Sequence, residues 1–212
     1  METNGKDAGI TLEVIHSLLH ALGILFGIIG MPVLILNAIK NNKIPGIAGA
    51  CVYGFCFLML FTFSTLYHGI QQPKTKALFK ILDHISIYFL IAGTYTPLVL
   101  IFVNNFFGIT LLVILWSLTL LGLIFKIFFT GRFEIASTII YILMGWILFA
   151  GGKRFFEAMP PLVIALIIAG GALYSLGVVF YLWQTHTYNH AIWHLLVLAA
   201  AICHYLAILI AV

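Results

Sequence analysis

Of the 212 residues, 63% are hydrophobic and only 8% are charged, and the mean hydropathy is +1.17. A soluble domain of this size needs far more charge to cover its surface, so the composition excludes an ordinary soluble protein and points to a lipid bilayer. The formal net charge of +4 arises from ten Lys and Arg scattered through short polar breaks, which is not a nucleic-acid-binding pattern.

The opening stretch, METNGKDAGITLEV, lacks the basic-then-apolar order of a cleaved secretory signal and reads as a short retained tail. Seven apolar segments follow, at roughly 15–37, 46–69, 81–103, 107–129, 134–151, 161–183 and 191–211. A span needs about 20 apolar residues, and the fifth segment is the shortest. Between them lie NNKIPG, QQPKTK, NN, TGR, KRFFEAMPP and QTHTYNH, breaks rich in the Pro, Gly, Asn and Lys that punctuate spans. No break is long enough to separate the chain into domains. The expected architecture is one all-α, seven-transmembrane helix bundle over 1–212.

Within the segments, Gly23 and Gly27 form a small-xxx-small face, and Gly170, Gly171 and Gly177 suit close helix packing. Pro32 and Pro97 fall inside predicted helices. Cys51, Cys56 and Cys203 all lie in apolar stretches and read as buried small hydrophobes. Lys6, Lys74, Lys76, Lys80, Lys126 and Arg132 fall on the N-terminal side, against Lys40, Lys43, Lys153 and Arg154 on the other. That slight excess predicts a multi-pass protein of the cell membrane with a cytoplasmic N-terminus and an outside C-terminus.

Ionisable residues inside spans are costly and mark function. Ser64 and His68 close the second segment, Asp83 and His84 open the third, and His190 and His194 open the seventh. In a seven-span chain these ends all face the same side, so the residues share one depth. Residues four apart lie on one helical face, which lets each pair converge. An H-x-x-x-H pair with a third His and a lone acid is the pattern of a catalytic zinc site with one position left for water. Asp83 then serves as the water-holding or proton-transferring group, and Ser64 supports the ligands or bonds a substrate carbonyl. His16 and His20 are also four apart at the same face; an interfacial role is expected for them, with auxiliary ligation as the alternative. His204 lies ten residues past His194, roughly 15 Å along a helix, too far for the same ion.

STLYH (64–68), LDHISIYFLIAGTYTP (82–97), YILMGW (141–146) and HAIWHLLVL (190–198) together resemble the hemolysin III family. That family is the bacterial branch of the progestin and adipoQ receptor group. The resemblance spans nearly the whole chain and implies a seven-helix fold with a zinc ion near the cytoplasmic side. By motif position its ligands are His68, His190 and His194, with Asp83 reaching the metal through water and Ser64 nearby. A wider superfamily that includes alkaline ceramidases shares these motifs and hydrolyses lipid amides. The leading expectation is therefore a Zn2+-dependent hydrolase of membrane-lipid amides or esters. The alternative is a non-enzymatic, receptor-like or membrane-state-sensing protein with structural zinc, and a pore-forming cytolysin ranks last.

Overall fold

The computed structural model describes residues 2–41, 43–183 and 185–212, with side chains at all of these except 2–8, 150, 151 and 154. The side chains of Lys6 and Arg154, counted above for orientation, and the whole of Asn42 and Gln184, within two predicted breaks, lie outside what is described.

Among the described residues the chain is all helical. Helices α1 (Glu2–Lys40), α2 (Ile44–Gly69), α3 (Pro73–Phe102) and α4 (Phe106–Phe129) are followed by the short α5 (Glu134–Gly145). A 3-10 turn (Ile147–Gly151), the four-residue α6 (Lys153–Phe156), α7 (Pro161–Leu182) and α8 (Asn189–Ala211) complete the chain. Six of these helices are long and apolar enough to cross a membrane. The twelve residues of α5 reach only about 18 Å, and the five-residue 3-10 turn adds about 10 Å, which together approach the roughly 30 Å of hydrocarbon.

Two helices start earlier than the apolar pattern suggests. The predicted tail is helical, because α1 begins at Glu2 rather than near residue 15. Likewise α3 begins at Pro73, two turns before residue 81, because Gln72 caps it by accepting from the Thr75 amide at 2.7 Å and Pro73 has the φ that a first turn needs. Polarity ends the hydrophobic segment there without ending the helix.

Packing runs α1 on α2, α2 on α3, α3 on α5, α5 on α7, α7 on α8 and α8 back on α1, with α4 laid against α3. The ring is turned inside out relative to a soluble protein. Along α1, Leu18, Leu22, Leu25 and Ile29 face outward, whereas His16, His20, Gly23, Gly27, Met31 and Leu34 face in. The glycines seat aromatic rings more often than backbones. A Cβ on Gly23 would fall 2.3 Å from Phe61, and one on Gly170 would fall 2.4 Å from His204. Gly49 and Gly108 are the backbone cases, since a Cβ on Gly49 would lie 2.4 Å from Cα of Pro97 and one on Gly108 would run into the Val103 carbonyl oxygen.

Lys126 is not a free loop charge. It is fully buried and bonds Glu134 Oε2 at 2.9 Å, while Glu134 Oε1 accepts from the Gly131 amide at 3.0 Å. One carboxylate thus ties the end of α4 to the start of α5, across a turn in which Phe133 takes the left-handed φ of 55° that a side chain resists.

Candidate metal centre

Helix α1 supplies a stripe that its polar start conceals in the sequence. Glu13, His16 and His20 are spaced three and four apart, so they share one face and continue inward the line of Gly23 and Gly27. That continuity is the signal that could have moved His16 and His20 from the interface to the interior. Both are buried.

Around this stripe the ends of α2 and α8 close in. His68 Nε2 and His194 Nε2 lie 3.1 Å apart. Nitrogens bound tetrahedrally to one zinc ion at about 2.0–2.1 Å sit ~3.3 Å from each other. The other nitrogen of each ring is held from α1: His68 Nδ1 meets Glu13 Oε2 at 2.8 Å, and His194 Nδ1 meets His20 Nε2 at 2.8 Å. Glu13 is itself paired with Lys76 at 3.0 Å. A carboxylate against Nδ1 fixes His68 with that nitrogen protonated and leaves Nε2 as the donor atom. His190, one helical turn before His194, has its ring centroid 4.6 Å from that of His194 and 5.3 Å from that of His68.

Four residues, His16, His68, His190 and His194, can each offer one nitrogen such that all four atoms lie within 4.8 Å of one another. This donor set fits a divalent metal ion. Imidazole suits Zn, Cu, Fe and Ni, and the buried nitrogens of His16 have no protein partner that would otherwise explain their burial.

Beside the cluster opens a cavity of about 350 Å³ that extends through the bundle towards Trp146 and His204. Ser64, Asp83, His190 and His194 line it at the metal end, and its walls include Leu90, Ile91, Ile142 and Val197. The buried Ser64 hydroxyl lies against the Asp83 carboxylate, with His68 and His84 nearby. The structure thus brings together His68, His190 and His194 and sets Asp83 and Ser64 on the adjoining cavity wall. His84, though next to Asp83 in sequence, turns to Lys126 at 3.3 Å and Glu134 at 3.4 Å. His204 stays apart from the cluster, with Nε2 against the Ile167 carbonyl at 3.2 Å.

The comparisons with known proteins agree in direction. The Haemolysin-III related family matches residues 8–205. The chain is 43% identical to "Hemolysin-3" of Bacillus cereus over 93% of this chain and 90% of the relative. It is 39% identical to "Hemolysin-3 homolog" of Bacillus subtilis over 93% and 92%. A more distant likeness, 28% over 75% of this chain and 68% of the relative, connects it to the human "Monocyte to macrophage differentiation factor".

Proposed function

The chain belongs to the Haemolysin-III related family, and from that premise we propose that it is a Zn2+-dependent membrane hydrolase that cleaves an amide or ester bond of a lipid. The observation that carries this reading is the cavity joined to the histidine cluster. Its volume of about 350 Å³ falls among ligand pockets, and its mostly apolar wall suits an acyl chain. An ion serving only to pin helices together has no need of such a space.

In this reading His68, His190 and His194 hold the ion. When bound there, it supplies a Lewis acid for a carbonyl and lowers the pKa of water. Asp83 takes the proton from the attacking water and returns it to the leaving amine or alcohol. Ser64, whose buried hydroxyl lies beside Asp83, donates to the carbonyl oxygen as charge develops. Leu90, Ile91 and Val197 lie along the acyl chain. In this reading the protein spans the cell membrane with its metal end at the cytoplasmic face.

The test is release of fatty acid from N-acyl and O-acyl lipids by purified protein in bilayers, read by mass spectrometry. Asp83→Asn is expected to keep its metal by elemental analysis while losing roughly 10²- to 10⁴-fold in rate. Metal-loaded wild-type protein that releases no fatty acid from either lipid class sinks the hydrolase reading.

A second reading draws on a different observation. A fourth imidazole, His16, lies within the cluster, and a shell of four protein ligands is typical of structural zinc. A receptor-like or membrane-sensing protein with such an ion would retain metal and turn over nothing.

A further inference from the structure

His16 stands on α1 between two residues that each steady a ring of the cluster, Glu13 for His68 and His20 for His194. Its own ring centroid is 5.0 Å from that of His68, 4.7 Å from His190 and 5.2 Å from His194. The residue is 7% exposed, and neither of its nitrogens has a hydrogen-bond partner. Buried polar groups are nearly always satisfied. His16 brings one nitrogen within 4.8 Å of a nitrogen from each of His68, His190 and His194, and four imidazole nitrogens gathered at one point, with neither His16 nitrogen hydrogen-bonded, are a donor set for a cation.

The four rings also differ in how they are anchored. Outer hydrogen bonds orient a ligating imidazole and raise its basicity. His68 and His194 have them at 2.8 Å each, His190 and His16 have none, and of these two only His16 stands on α1, apart from the helices that carry the other three rings. We infer that His16 is a fourth metal ligand and a detachable one: it closes the coordination shell of the resting protein and leaves to free a position for water. The ligation itself stands whether or not the protein is an enzyme, while the opening rests on the hydrolase reading above. Under that reading α1 guards the ion, and lipid chemistry begins only when His16 swings away.

Cobalt-loaded protein makes this visible without any activity. Co2+ is bound to wild type, His16→Ala and His16→Asn, the visible spectrum is recorded, and azide is titrated. The wild-type bands are expected to resist azide, and those of both variants to shift at azide concentrations lower by roughly tenfold or more, with metal lost more readily to a chelator. Free imidazole added to His16→Ala should restore the wild-type spectrum. If His16→Ala fails to bind Co2+, His16→Asn, which keeps a polar group in the same space, carries the comparison. Identical spectra and identical azide sensitivity in wild type and variant overturn the assignment. Four-imidazole spectra alongside a complete absence of lipid hydrolysis, in wild type and variants alike, uphold His16 as a ligand and overturn its detachment together with the hydrolase reading.

Discussion

The two ends of the bundle handle polar atoms in opposite ways. At the end where α8 finishes, Asn37 donates to the Leu209 carbonyl at 3.2 Å, Asn41 to Val212 at 2.8 Å and Lys43 to Ala211 at 2.8 Å. These side chains serve carbonyls that the last turn of a helix leaves free, and each donor named there has its acceptor. At the end where α8 begins, both His16 nitrogens are buried without partners and four imidazoles crowd one point. The first end is complete as it stands. The second turns its nitrogens toward one shared point. Polar residues in a membrane protein therefore divide by satisfaction rather than by type, and the unsatisfied ones are where function concentrates.

That contrast can be broken or sharpened by mutation. The largest effect is expected from His190→Ala/His194→Ala, which removes two donors at once. Elemental analysis of the detergent-purified variant should find metal near zero against about one ion per wild-type chain, as a single closed site requires. Equal content in both would erase the distinction between the ends. Next comes Glu13→Ala, which leaves all four imidazoles in place but frees the His68 ring. Metal affinity by chelator competition is expected to fall about 10- to 100-fold, and affinity unchanged by the loss would mean that Glu13 merely pairs with Lys76. The smallest effect belongs to the other end. Asn41→Ala should cost about 1 kcal/mol in resistance to unfolding in detergent while leaving metal content untouched, because it removes one hydrogen bond far from the cluster. Metal loss in that variant would show that the two ends are coupled.

Much of this could be read from the sequence because spans impose a strict bookkeeping of depth. Counting apolar segments places Ser64, His68, Asp83, His190 and His194 at one face, and the structure sets them at one end of the bundle. What composition cannot distinguish is a polar residue at the interface from one facing the core. Glu13, His16 and His20 look interfacial because their helix starts in polar sequence, yet α1 extends back to Glu2 and buries both histidines. Lys126 misleads in the same manner. Near a predicted loop it reads as a cytoplasmic charge, and only the Glu134 carboxylate, eight residues on, reveals it as a buried strut. The irregular end of α5 is equally hidden. Trp146 to Gly151 are apolar enough for a helix, but Tyr95 accepts from the Leu148 amide and donates to the Gly145 carbonyl, replacing bonds that a continuous helix would make itself.

The His20–His194 contact joins residues 174 positions apart, the first helix to the last. During synthesis α1 enters the bilayer long before α8 has been translated, since chains emerge at roughly 5–20 residues per second. Until then Glu13 can meet His68 of α2 and Lys76 of α3, but His20 has no His194 to bond. Completion of the histidine cluster is therefore the closing event of biogenesis, and a chain that stalls before its final helix carries His16, His20 and His68 into lipid without His190 and His194, a mark by which membrane quality control can tell it from a finished one.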